Sequence, residues 1–319
     1  MIKLGLVGAG RWGSRLIDAL ARHRRLELAA LCRSHVEADP RLQPSVVVTS
    51  DWRSLLAVPG LDGVVIATPP HLHAQITAAA LERGIAVLVE KPFALDVDTV
   101  LHASQLLGRL GGTLLVDYIH LFSPAFQALK ERVPAAAVTG VVSEGFNHGP
   151  FRHDYSPLWD YGPHDVAMCL DLMGVQPLHV GAVWQRGAAE SGLGAGMYSV
   201  DLEFPGGVLA HITVGNTAAR KARRFAVATA DGWWVVDDLK SDQLMFHPHG
   251  GGVATVVALA ATQPLDLVFD AFAEGIQGRV DRRFGLDLTQ RVTEVLSAAA
   301  AKAAALSLRH SLRAHVVPP

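Results

Sequence analysis

Cysteine is scarce in this chain of 319 residues. The two present, Cys32 and Cys169, lie in apolar segments without CxxC spacing. That argues against a disulfide framework and a cysteine-ligated metal, and for buried, reduced thiols. Charge is scarce too: 18% of residues are charged, the formal net charge is −2 and the pI is about 6.7. There is no basic excess to recommend nucleic acid or an anionic membrane surface as a partner. No uninterrupted apolar run reaches the length of a membrane span. The first residues, Ile2-Lys3-Leu4-Gly5-Leu6-Val7, read as a strand, without the charged and apolar regions of a secretion signal. The expectation is a soluble, cytoplasmic protein. Half of the residues are hydrophobic, enough for a large core and two domains of ordinary size.

The first third alternates short apolar runs with helical periodicity. Strands are expected at Leu4–Val7, Leu26–Cys32, Val46–Val48, Gly63–Ala67, Ile85–Val89 and Thr113–Val116. Helices are expected at Ser14–Ala21, Ala74–Arg83 and Val97–Leu110. This alternation implies a parallel, doubly wound sheet with its ligand edge at the strand C-termini. Between the first strand and helix stands Gly8-Ala9-Gly10-Arg11-Trp12-Gly13. In that context Gly8 makes the tight turn, Gly10 admits a pyrophosphate, and Gly13 lets helix and strand pack closely. The free N–H groups of the helix then face the phosphates. The second strand ends Leu31-Cys32-Arg33-Ser34-His35, with no carboxylate before Glu37 to hold a ribose hydroxyl. Arg33 and Ser34 favour a 2′-phosphate, hence NADP, with NAD as the alternative.

Three further segments carry a family resemblance. They are Ala67-Thr68-Pro69-Pro70-His71-Leu72-His73 leading through a helix to Val89-Glu90-Lys91-Pro92; Val116-Asp117-Tyr118 with Phe122-Ser123-Pro124; and Asp160-Tyr161-Gly162-Pro163-His164. Together they resemble the glucose-fructose oxidoreductase / inositol dehydrogenase / MocA (Gfo/Idh/MocA) family over nearly the whole chain. Pro70 stands where that family's turn usually has asparagine, and the likeness is weakest from about Val180 to Pro264. The resemblance implies a Rossmann domain over 1–118 and an α+β domain over 119–319 with a large open, mostly antiparallel sheet. Segments Gly140–Phe146, His179–Trp184, Met197–Phe204, Val208–Val214, Phe225–Ala230 and Trp233–Val236 read as its strands. It also implies a homodimer or homotetramer assembled through the open sheet face.

The same resemblance assigns the site. Cofactor contacts fall on Gly8, Gly10, Arg11, Trp12, Gly13, Arg33, Ser34, Thr68, Pro69, His73, Glu90 and Lys91. Lys91 polarises the reacting oxygen; Asp160 and His164 are the other catalytic residues. Histidine titrates near neutrality and suits transfer of a hydroxyl proton. Alternatively, Asp160 caps a helix running from about His164 to Met173. Asp165 reads as a helix-dipole residue. Arg152 and Tyr155, in the mixed aromatic and polar stretch before Asp160, are candidate substrate contacts. His148, His153, His164 and Asp160 lack metal-ligand spacing, so no metal is expected. His247–Gly252 reads as a turn. The alanine-rich stretch Leu288–Leu308 reads as a packed helix.

The expected reaction is hydride transfer between NADP(H) or NAD(H) and a hydroxyl- or carbonyl-bearing carbon of a sugar, cyclitol or related small molecule. Two alternatives belong to the same family: a NAD-dependent glycosidase acting by oxidation and elimination, and a non-catalytic dinucleotide-sensing regulator. Retention of Lys91, Asp160 and His164 argues against the regulator.

Overall fold

The computed structural model describes residues 1–34, 39–187, 194–237 and 243–314, with side chains as far as residue 306. His35 and Glu37 lie outside the described residues. Internal contacts divide the chain into two units. One comprises Met1–Ile119 together with Gln263–Gln290; the other comprises His120–Thr262 and the chain from Arg291 onward. A single cut at 118/119 therefore misses a returning segment.

The first unit opens with β1 (Ile2–Val7), α1 (Arg11–Arg22), β2 (Leu26–Cys32), β3 (Val47–Thr49), α2 (Trp52–Leu56) and β4 (Gly63–Ile66). It continues through α3 (His73–Leu81), β5 (Ala86–Glu90), α4 (Val97–Leu110) and β6 (Leu114–Asp117). The strands form a parallel sheet in the order β3-β2-β1-β4-β5-β6. Order reverses beside β1, which puts a ligand crevice at the C-terminal ends of β1 and β4. Leu4, Leu6, Val64, Val65, Ile66, Val87 and Val89 are all essentially inaccessible. Burial on both faces explains why these strands read as continuous apolar runs.

The second unit contains α5 (Pro124–Arg132), β7 (Gly140–His148), α6 (Pro157–Met173), β8 (His179–Arg186), β9 (Gly196–Glu203), β10 (Leu209–Gly215) and β11 (Thr217–Ala228). Three more strands follow, β12 (Gly232–Asp237), β13 (Gln243–Pro248) and β14 (Thr255–Ala258). The sheet order is β14-β13-β12-β11-β7-β10-β9-β8. Every neighbouring pair is antiparallel except β7 with β10. Helices α5 and α6 cover one face. On the other, Val142, Val183, Leu209 and Val256 are between 37% and 59% exposed, so that face is partly open. Strands β13 and β14 were not expected, and His247-Pro248 belongs to β13 rather than to the turn that follows it.

Helix α6 corrects another expectation. It starts at Pro157 behind Ser156, not near His164, and runs through Pro163. A proline cannot donate to the preceding turn, so Pro163 reads as a helix start; here it sits well inside α6. Asp160 is consequently a first-turn residue and does not cap the helix.

The chain then forms α7 (Pro264–Ile276) and α8 (Asp287–Ala314). Helix α7 belongs to the first unit. Val268, Phe269 and Phe272 are fully buried, the Phe272 ring fills the space beside Gly63 of β4, and Arg25 pairs with Asp270 at 2.7 Å. Among the described residues no helix is long and apolar enough to cross a membrane.

Truncating Phe272 to alanine should cost about 3–5 kcal/mol, the usual loss for a buried phenylalanine. Urea unfolding measures it. A loss under about 1 kcal/mol would place α7 outside the core of the first unit.

Candidate functional site

The turn from β1 into α1 is built by exclusion. Gly8 has φ +103°, and a Cβ there would lie 2.5 Å from the Ala67 carbonyl oxygen. A Cβ on Gly13 would lie 2.1 Å from the Gly8 oxygen. Both positions therefore require glycine. Gly10 is different: a side chain there would meet nothing within 4 Å. Its exposed backbone begins α1 without any side-chain cap, leaving the first helical N–H groups for a ligand. Across the crevice, at the end of β4, the Thr68 hydroxyl is buried without a hydrogen-bond partner. An uncapped helix start and an orphaned hydroxyl fit a dinucleotide's phosphates and hydroxyls. Arg11 is exposed at the same turn, and Pro69 precedes the short 3-10 turn Pro70–Leu72.

His73 departs from expectation. It is 1% exposed; Nδ1 lies 2.9 Å from the Pro92 carbonyl oxygen and Nε2 2.8 Å from that of Thr68. Burial, the largest influence, pulls its pKa below the ordinary value, although both carbonyls oppose this. With both ring nitrogens facing backbone carbonyl oxygens, His73 braces the Thr68 and Pro92 turns.

Glu90 ends β5 and pairs in register with Asp117, the last residue of β6. The two carboxyl groups hydrogen-bond to each other, which requires a shared proton. Trp12, from the glycine turn, donates its indole N–H to Glu90 Oε1. Burial first, and the neighbouring Asp117 charge second, hold Glu90 well above the usual carboxylate range. Burial also pushes Asp117 up to about 6, against the opposing effects of Glu90 and Lys91. The arrangement is directional: indole to protonated Glu90, and Glu90 to ionised Asp117. Lys91 follows directly on the same strand end. Glu90 and Trp12 thus tie the glycine turn to the lysine strand. Asp117 was quoted only within a motif and not recognised as part of the site; its signal was a carboxylate closing an apolar strand.

At the end of β2, Arg33 Nη1 lies 3.6 Å from Asp39, while Nε and Nη2 are buried without hydrogen-bond partners. Ser34 stands beside it, largely exposed. Asp39 also binds Arg41, whose hydrogen bonds lower its pKa to about 2.

The second unit holds the remaining candidates. Arg152 Nε donates to Asp160 Oδ2 at 2.7 Å, and the Arg152 guanidinium lies 5.1 Å from the Tyr155 ring. Asp160 is therefore joined to Arg152, and through it to Tyr155. The His164 ring stands 4.7 Å from that of His120 at 85°. Asp165, expected to act on the helix dipole, is instead buried and bound to Ser143 and Arg223. Asp171 pairs with Lys130 at 2.5 Å. His148 packs edge-on against Phe151, and no metal-binding cluster occurs among the described residues. Cys32 and Cys169 are both buried free thiols.

A glycine-turn crevice on a parallel sheet, joined to a lysine-bearing strand end, defines a dinucleotide-binding oxidoreductase. Comparison with known proteins narrows this. Residues 2–118 match the oxidoreductase family with an NAD-binding Rossmann fold named for Gfo, Idh and MocA. The rhizopine catabolism protein MocA of Rhizobium meliloti is 30% identical over 55% of this chain and 58% of its own length. UDP-N-acetylglucosamine 3-dehydrogenase of Acidithiobacillus ferrooxidans is 25% identical over 86% of this chain and 87% of its own. A crystal structure from Magnetospirillum magnetotacticum MS-1, provisionally called an oxidoreductase, superposes with TM-score 0.84 at 37% identity, covering 93% of this chain and 99% of that one. Residues 2–118 belong to the Gfo/Idh/MocA family of oxidoreductases.

The acid pair generates a sign. Asp117 titrates at about 4 when unfolded and at about 6 when folded. Between these values the folded chain holds more protons, so the contribution of this group is fully present below the unfolded pKa and is lost as pH rises through 6. Asp117→Asn, which still accepts from Glu90, should narrow the fall in urea midpoint between pH 4 and about 7. Parallel curves for the two proteins would rule out the shared proton.

Proposed function

We propose that this protein is a dehydrogenase or reductase acting on a hydroxyl- or carbonyl-bearing carbon of a sugar, cyclitol or related small molecule. A bound nicotinamide dinucleotide supplies the hydride acceptor or donor. The observation that carries the proposal is the uncapped Gly8–Gly13 turn, facing the orphaned Thr68 hydroxyl and linked through Trp12 and Glu90 to Lys91. The names of the sugar and cyclitol dehydrogenases among its relatives support the substrate class.

Lys91 holds the reacting oxygen and stabilises its negative charge, as a positioned cation does for a developing alkoxide. His164 takes the hydroxyl proton in oxidation and returns it in reduction. Asp160, held by Arg152, fixes the substrate beside His164 and presents Arg152 and Tyr155 to its hydroxyls. NADP is the preferred cofactor. The buried, unspent N–H groups of Arg33 support this, because a 2′-phosphate would satisfy both charge and donors. The partly apolar open face of the second sheet supports assembly as a homodimer or homotetramer. Two buried thiols suit a reducing compartment, and we place the protein in the cytoplasm.

Lys91→Ala should reduce turnover by about 100-fold or more while dinucleotide binding, followed by fluorescence titration, survives. Near-normal turnover in the folded variant would make the lysine structural. Arg33→Ala should weaken NADPH binding by roughly 10- to 100-fold and leave NADH binding unchanged, as expected for losing a charged hydrogen bond. Equal affinities for both cofactors in both proteins would remove the case for NADP.

A further inference from the structure

The second unit contains a buried ionic chain that ends at His164. Asp165 on α6, 1% exposed, accepts a 2.5 Å hydrogen bond from Ser143 Oγ on β7 and one of 2.7 Å from Arg223 Nη1 on β11. Arg223 Nε in turn donates to His120 Nε2 at 3.0 Å. The His120 and His164 rings then meet in a T-shaped contact. Space for this chain is reserved at Gly145, which pairs in register with Arg223. A Cβ there would lie 2.1 Å from Arg223 Nη1 and 2.7 Å from Asp165 Oδ2.

Elementary donor counting fixes the protonation of His120. A guanidinium donates from every nitrogen and accepts from none. His120 Nε2 must therefore offer its lone pair, which leaves the ring proton on Nδ1. While the contact holds, His120 has no basic nitrogen with which to become a cation. Asp165 balances the arginine charge at the far end, so the chain is neutral as a whole. Other charged groups of this unit around the two rings include Asp160, one turn before His164 on α6 and paired with Arg152, and Arg224, which borders the same small cavity as His120.

We propose that Arg223 and His120 are positioning residues for His164: Arg223, anchored by Asp165, locks His120 as the neutral Nδ1–H tautomer, and that ring fixes the His164 imidazole and leaves it the proton acceptor of the pair. This rests on His164 taking the hydroxyl proton in the reaction. Two adjacent imidazoles of similar basicity would compete for that proton. The arginine removes the competition by occupying the one nitrogen through which His120 could accept it.

Long-range 1H–15N correlation spectra of the full-length protein test the lock without reference to activity. His120 should show the Nδ1–H pattern without titrating from about pH 5 to pH 8, and in Arg223→Met it should titrate near the ordinary value of about 6.5. Gly145→Ala, which displaces the guanidinium and retains every ionisable group, should have the same effect and serves if Arg223→Met fails to fold. An Nε2–H pattern for His120, or its titration in the unmodified protein, overturns the proposal. In kinetics, Gly145→Ala should lower kcat roughly tenfold or more with KM within twofold. Its acidic limb should steepen as a second imidazole begins to titrate. His164→Ala separates the two ideas. If that variant keeps the acidic limb, the proton-acceptor assignment fails. If it loses the limb, yet Gly145→Ala matches the unmodified protein in kcat and profile, the positioning role fails.

Discussion

At the turn from β1 into α1, backbone packs directly against backbone. The positions of Gly8 and Gly13 are set against the Ala67 and Gly8 carbonyl oxygens at distances that no side chain survives. Everything in the crevice depends on that contact. It brings the start of α1 against β4, exposes the first helical N–H groups beside Thr68, and swings Trp12 out to reach Glu90 on β5. One steric requirement thus places the anion-binding helix start and the lysine strand in a common frame.

A second theme is the handling of buried carboxyl groups. Each of the units buries acid, and the solutions differ. In the first, Glu90 and Asp117 share a proton and so hold one negative charge between them instead of two. In the second, Asp165 remains an acceptor for a serine hydroxyl and a guanidinium, at the cost of an arginine buried with it. Protonation serves where burial outweighs the pull of the neighbouring Lys91. Pairing serves where the carboxylate must hold an arginine in a fixed direction.

The legible parts of this chain were those whose signal is local. The parallel strands announced themselves as apolar runs because both faces are buried, and the glycine turn and Glu90-Lys91-Pro92 followed directly from their places at strand ends. Helix α7 was also legible, since Leu265, Val268, Phe269 and Phe272 follow helical spacing, but it was not singled out. The Arg223 chain was not legible. Residues 219–225 read Ala-Arg-Lys-Ala-Arg-Arg-Phe, with four cations in seven positions. Which one turns inward depends on the pairing of β11 with β7, and that register shifts between Thr217 and Ala222. An irregularity of this kind reverses the facing of every later side chain. His120 has meaning only once that register is known. The start of α6 was misplaced for the opposite reason: Pro163 is a strong local signal that tertiary packing overrides.

The return of residues 263–290 to the first unit has a consequence for how the protein is made. A ribosome releases the chain from its N-terminus, and domains encoded in one piece can fold as they emerge. Here the six parallel strands are complete by Asp117, but Gly63 lacks its Phe272 neighbour, Arg25 lacks Asp270, and Leu115 lacks its bridge to Phe284 until much later in synthesis. The dinucleotide-binding unit is therefore the first to begin and cannot be finished until the strands of the second sheet have already been synthesised. Its order of assembly is that of a bracket around an inserted domain, closed only when residues 263–290 have followed.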